Sequence, residues 1–237
     1  ERTADFWYDV NIDQDLDALF GGIEQTLAST HALTGAVQAR DTYGFTGIGQ
    51  TIVVIDSGIA YDHYALGGGF GAGYRVVGGW DFTENDANPY DDGPAGGHGT
   101  HVAGIIGAQA GTTGDSGVAP GADLVALRVF DDAGNGYFSW VEKALRWVVQ
   151  NRNAFENPVT AVNLSLGTAW NSASVPSWAM LEDEFAQLAS HGIFISVSAG
   201  NSFTTYNATG LSYPAASSHV VPVMSVDDNG YLSYFSQ

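Results

Sequence analysis

The sequence predicts an α/β fold: a doubly wound, mostly parallel sheet with helices on both faces. Three observations carry this. With 237 residues, 45% of them hydrophobic, the chain suits one large domain with a sizeable core. Short runs rich in β-branched residues read as strands of the buried type, and they alternate with segments of helical period. Strand–helix–strand alternation in turn implies parallel pairing through crossovers.

In order along the chain, residues 1–30 form an acidic N-terminal extension without a strand-length apolar run, holding one short amphipathic helix around Asp15 to Ala28. "TIVVID" (51–56) is a strand rich in Val and Ile. Glycine-rich "GGGFGAG" (67–73) reads as a surface loop in the long connection from Asp56 to His98. "THVAGIIGAQ" reads as a helix of small residues, and "ADLVALRVF" as the next strand. "SWVEKALRWVVQN" is a helix: Ser139 and Glu142 have capping-box spacing, and Val141, Ala144, Leu145 and Val148 recur at helical period. The strand "VTAVNLSLG" follows. A helix then runs from Trp178 to about Ser190, closed by Gly192 in a C-cap position. "IFISVS" and "HVVPVMSV" complete the strands, and there is no internal repeat.

Charge narrows the function classes. Asp plus Glu is 26 against 7 Lys plus Arg, a formal net charge of −19, and Lys143 is the only lysine. Such a surface argues against nucleic acid and anionic membranes as partners. It favours divalent cations, cationic substrates or a salty medium. The absence of cysteine excludes disulfides, thiolate catalysis and cysteine-ligated zinc. No apolar run approaches the ~18 residues of a membrane span. The first residues do not read as a signal peptide.

In an open parallel sheet the functional crevice lies at the carboxyl ends of the strands. Asp56 ends one strand there, "SLG" (165–167) follows another, and Asn201 comes just after a third. His98 stands where a glycine loop enters a helix. An Asp, a His and an Asn are thus brought toward one crevice, as a catalytic triad with an oxyanion donor requires. Taken singly, each also has a structural reading: Asp56 as a turn or cap residue, Asn201 as a turn residue. His98 and His101, three apart, could bind zinc. No Glu occurs between residues 96 and 141, which weakens that metal-dependent reading.

Several segments together resemble the subtilisin-like serine proteases, the subtilases. "VVIDSGIA" resembles the family's aspartate segment, "GHGTHVAG" its histidine segment and "SVSAGNS" its oxyanion-hole segment. "GVAPGADLVALRVFDDAGNGYFSWV" and "AVNLSLG" resemble the segments that flank the bound peptide. The resemblance covers residues 31–237, read as a partial subtilase catalytic domain. It implies that Asp56 orients the imidazole, His98 is the general base, His101 is a supporting residue on the next helical turn, and Asn201 donates to the oxyanion. It further implies that the peptide lies as an added strand between Asn135–Gly136 and Ser165–Leu166–Gly167, near Gly200. Phe138, Val141 and Leu166 would line a pocket for the fourth residue before the cut, or else be simple core.

The same resemblance implies calcium in "GWDFTENDANPYDD", through Asp81, Glu84 and Asp86 with the carbonyls of Asn88 and Tyr90. The stretch is similar to a calcium loop of thermitase-like subtilases. A second calcium loop, "AQAGTTGDSG", has Gly111 where a side-chain amide is expected. The expected cleavage is after uncharged, large apolar or aromatic residues, because no carboxylate occurs near Gly167, Ala199–Gly200 or "LSYPA", and Ser202 stands where some relatives have an acid.

The family's nucleophile lies in a Gly-Thr-Ser motif, and none occurs in these 237 residues. Ser57 and Ser165 lack the G-x-S-x-G spacing. The expectation is a secreted or extracellular serine endopeptidase whose serine follows Gln237. Protein or peptide substrates are its partners, with a prodomain or the remaining C-terminal part as further partners. Residues 1–237 alone are then expected to be inactive and poorly stable. Two rivals stand: a degenerate, non-catalytic subtilase-like binding or structural module, and a hydrolase with a metal on His98 and His101.

Overall fold

A computed structural model describes residues 27–93, 97–110 and 116–237. Most of the acidic extension, its helix near Asp15 and the Gly111 loop lie outside the described residues. Two short helices open the described chain, α1 (Leu27–Leu33) and α2 (Ala36–Tyr43). The core strands are β1 (Thr51–Asp56), β2 (Val76–Asp81), β3 (Asp123–Arg128), β4 (Val159–Leu164), β6 (Phe194–Ser198) and β8 (Val221–Val223). They form one six-stranded sheet in the order β2-β3-β1-β4-β6-β8. Every pairing in that sheet is parallel. A separate antiparallel pair joins β5 (Thr168–Ser172) to β7 (Leu211–Tyr213). The helices between are α3 (His98–Gly107), α4 (Phe138–Asn151), α5 (Glu182–Ser190) and the single turn α6 (Phe203–Tyr206). The α/β architecture read from the sequence is the one present.

Why the strands lack polar alternation is visible in the packing. Val53 and Ile55 of β1, with Val125 and Leu127 of β3, face the larger core beneath α4 and α5. Val54, Leu124 and Ala126 face the opposite layer with Ala103 of α3. Successive side chains point to opposite faces, and both faces are covered, so the inner positions of β1 and β3 are all apolar.

Differences from the sequence reading are local and physical. Strand β2 was hidden by its own glycines, which are poor strand formers. A Cβ on Gly79 would stand 2.1 Å from the Ala126 carbonyl oxygen, and one on Gly78 would stand 2.9 Å from the Phe155 ring. The neighbours require bare backbone there. In α4, the first helical residue is Phe138 and the cap is Tyr137, in extended conformation without a side-chain cap bond. Ser139 therefore lies inside the helix, and Glu142 pairs with Arg146 at 2.6 Å rather than closing a capping box.

Helix α5 begins at Glu182 rather than near Trp178. The Leu181 amide donates to the Tyr213 hydroxyl at 3.1 Å, fixing that start. Its end is as expected: Gly192 has φ 74° and returns its amide to Ala189. In "HVVPVMSV" only three residues are strand, at the sheet edge, the position that tolerates Pro222.

Candidate active site

Asp56 is the last residue of the central strand β1 and is fully buried. Its Oδ1 accepts the Ser57 amide at 2.7 Å and lies 2.8 Å from Nδ1 of His98. Its Oδ2 is buried without a hydrogen-bond partner. His98 is the first residue of α3, and its side chain is 26% exposed. A buried carboxylate thus stands behind a half-exposed imidazole. When the carboxylate accepts from Nδ1–H, Nε2 becomes the basic nitrogen of the ring.

Close backbone approach makes this pair possible. A Cβ on Gly99 would come within 2.2 Å of the Gly58 carbonyl oxygen, so α3 can meet the end of β1 only through glycine. Gly58 itself has φ 109°, outside the range of ordinary side chains. The Ser57 hydroxyl accepts the Gly99 amide at 2.9 Å. Ser57 is 8% exposed and spent on this contact, a structural use that its spacing had not suggested. His101, expected to support the site from the next turn, is exposed.

Asn201 follows β6, two strands from β1 in the sheet, or roughly 10 Å at ordinary strand spacing. It is exposed and preceded by Gly200 at φ 114°. The segment is held by Gln237. That side chain accepts the Ser202 amide at 3.2 Å and donates to the Trp170 carbonyl at 3.0 Å and Asn171 Oδ1 at 2.8 Å. Its backbone amide donates to the Gly200 carbonyl at 2.9 Å. Nothing in local sequence pattern could have found Gln237, whose partners lie 35 to 67 residues away.

Between the two lies the end of β4. Ser165 Oγ accepts from Asn163 Nδ2 at 2.9 Å, and a Cβ on Gly167 would sit 2.9 Å from Ser212 Oγ. On the other side of β1, the loop after β3 is shaped by Asp131. Its Oδ1 accepts the Ala133 amide at 3.0 Å and the Asn135 amide at 2.8 Å. Gly136 bridges back to Phe130. Asn135 is exposed, whereas Phe138, Val141 and Leu166 are at most 3% exposed and belong to the main core.

The acidic loop 81–92 is tied by hydrogen bonds of its own. Asp81 Oδ1 accepts the Thr83 amide, the Thr83 hydroxyl and the Glu84 amide. Asp86 Oδ1 takes the Asn88 amide, and Asn88 Oδ1 takes the Tyr61 hydroxyl. The Tyr90 carbonyl accepts from Arg128 Nη1 at 3.1 Å, and the same nitrogen lies 3.4 Å from Asp81 Oδ2 and 3.0 Å from Asp92. Arg128 is 3% exposed. The cation among these oxygens is its guanidinium. Among the described residues, no three Asp, Glu, His or Cys side chains gather as metal ligands. Asp81 Oδ2, one of the oxygens expected to hold calcium, is buried without a hydrogen-bond partner.

These features define a class: a doubly wound α/β domain with a carboxylate-backed histidine at the carboxyl edge of its sheet. Comparison with known proteins makes the class specific. The subtilase family profile matches residues 47–237. Subtilisin E of Bacillus subtilis (strain 168) is 33% identical over 84% of this chain and 46% of its own length. Thermitase of Thermoactinomyces vulgaris is 34% identical over 80% of the chain and 60% of its own. The thermostable alkaline protease of Halalkalibacterium halodurans is 33% identical over 90% of the chain and 51% of its own. The chain belongs to the subtilase family, a family of serine peptidases. It spans about half the length of the curated relatives it matches.

Proposed function

We propose that the whole protein is a serine endopeptidase that works through an acyl-enzyme, with residues 31–237 as part of its catalytic domain. The observation that carries this is the 2.8 Å contact between buried Asp56 and His98. His98 takes the proton of the attacking serine and returns it to the leaving amine, while Asp56 holds the ring and stabilises its protonated form. The serine is not assigned among these residues: no Gly-Thr-Ser motif occurs in them, and Ser57 and Ser165 both make structural hydrogen bonds. Asn201 donates its side-chain amide to the oxyanion. The peptide lies as an extended strand between Asn135–Gly136 and Ser165–Leu166–Gly167, beside Gly200, with Phe138, Val141 and Leu166 backing the pocket for the fourth residue before the cut.

Asn201→Ala is expected to lower kcat by about 10²–10³ with little change in KM, the scale of one oxyanion donor, established on a subtilisin. Steady-state kinetics on the full-length protein checks this. A raised KM at normal kcat would remove Asn201 from the oxyanion. Complete inactivity of every form, with no labelling by a serine-directed fluorophosphonate, would favour a non-catalytic binding module instead.

Cleavage follows uncharged, large apolar or aromatic residues. No Asp or Glu occurs in 164–169, 198–203 or 210–216, the stretches expected around the primary pocket. A peptide-library profile dominated by Lys or Arg would overturn this preference. The protein acts on peptides outside the cell. Among the described residues no helix is long and apolar enough to cross a membrane. Calcium on Asp81, Glu84 and Asp86 with the carbonyls of Asn88 and Tyr90 stabilises the fold in this reading, supported by the buried Asp81 Oδ2 that has no hydrogen-bond partner. A melting temperature unchanged by a chelator would overturn it.

A further inference from the structure

We propose that Asp91 is a positioning residue for His98, acting through Ser57 and Thr100 at the first turn of α3. This rests on the reading of Asp56 and His98 as the base pair of the reaction.

The need arises from helix geometry. The first amides of any helix lack intrahelical partners, and the cap residue of α3, Gly97, has no side chain to supply one. His98 is the first helical residue, so its ring moves with whatever holds that turn. Both free amides that follow are met from outside the helix. The Gly99 amide donates to Ser57 Oγ at 2.9 Å, and the Thr100 amide donates to Asp91 Oδ2 at 3.0 Å.

Asp91 then ties these contacts together. The Ser57 hydroxyl donates to Asp91 Oδ1 at 3.0 Å, and the Thr100 hydroxyl donates to Oδ2 at 2.5 Å. Thr100 Oγ1 also accepts the Ala60 amide at 2.9 Å. The backbone amide of Ser57 holds Asp56 Oδ1, the oxygen that faces His98. One carboxylate therefore closes a ring through the end of β1, the turn 57–60 and the first turn of α3. Both sides of the Asp56–His98 contact are fixed to that ring.

Burial raises the Asp91 carboxyl above its ordinary range, hydrogen bonds from Thr100 and Ser57 pull it down, and nearby Asp56 adds to the rise. The charged groups around it are Asp56 on β1, Asp92 beside it, His98 on α3, and Arg128 on β3, which meets Asp92.

The test uses the full-length protein with rates expressed per active site, counted with a serine-directed fluorophosphonate. Asp91→Asn is expected to lower kcat by about ten- to a hundredfold, the cost of a base displaced by up to an ångström, with KM nearly unchanged. The acid limb of kcat/KM moves to lower pH, because the imidazolium is less firmly aligned with Asp56 and the site carries one negative charge fewer. Thr100→Ser, which retains the hydroxyl, keeps the wild-type rate and profile, whereas Thr100→Val shows the same fall and shift as Asp91→Asn in weaker form. Thr100→Val also carries the test if Asp91→Asn fails to fold. Wild-type kcat per site with an unmoved acid limb in both variants would overturn the positioning role, even if fewer sites titrate. His98→Ala is the control. Retained activity there would overturn the base reading itself, an outcome distinct from a fully active Asp91→Asn beside an inactive His98→Ala.

Discussion

His98→Ala in the full-length protein is expected to lower kcat by about a millionfold, with KM changed little. That scale is the loss of a triad base measured on a subtilisin, a member of the same family. Without the imidazole the serine hydroxyl keeps its proton and is a poor nucleophile; binding and oxyanion stabilisation then provide the residual rate. Asp56→Asn is expected to cost less, about ten-thousandfold, because the ring remains but its tautomer is wrong. Single-turnover kinetics on a chromogenic peptide measures both. A His98→Ala protein retaining more than about a hundredth of the wild-type rate would remove the histidine from the chemistry.

Arg128→Ala should produce the largest loss of stability among single changes near the site. The guanidinium donates through Nε to the Phe130 carbonyl at 3.1 Å and through Nη1 to the Tyr90 carbonyl. It also meets Asp81, Asp92 and Asp132. Asp92 and Asp132 are mostly exposed and would return to water, whereas Asp81 is 1% exposed. Removing the arginine leaves that carboxylate buried without its counter-charge, a cost of about 3–5 kcal/mol. For a chain of this size the melting temperature falls by roughly 6–20 °C. Arg128→Met with Asp81→Asn should recover much of the loss, since the buried charge is gone from both sides. Calorimetry decides, and a fall under about 2 °C for Arg128→Ala would mean that Asp81 is already compensated elsewhere.

Legibility in the sequence divides by the range of the interactions. Strands such as Thr51–Asp56 and Asp123–Arg128 were readable because burial on both faces leaves a continuous apolar run. Asp56 and His98 were readable because each sits at an element boundary inside a dense local motif. Strand Val76–Asp81 was not, since the reason for its two glycines lies across the sheet in Ala126 and across the core in Phe155. The false capping box at Ser139 and Glu142 has the right spacing, but Phe138, buried against the Trp178 and Tyr213 rings, had already entered the helix. Ser57, Asp91, Arg128 and Gln237 act on partners up to 67 residues away, and no local pattern marks such contacts.

The glycine cap of α3 has a consequence for how the chain matures. Residues 98–107 supply no side chain to close their own first turn, and its caps arrive from Ser57 and Asp91. An isolated ten-residue helix is marginal in water even with good caps. The histidine is thus set in place only with β1 and the 81–93 connection docked on one another. A nascent or partly unfolded chain has its histidine and its aspartate but no aligned pair between them. Alignment of the candidate catalytic pair is thereby tied to completion of the fold around it.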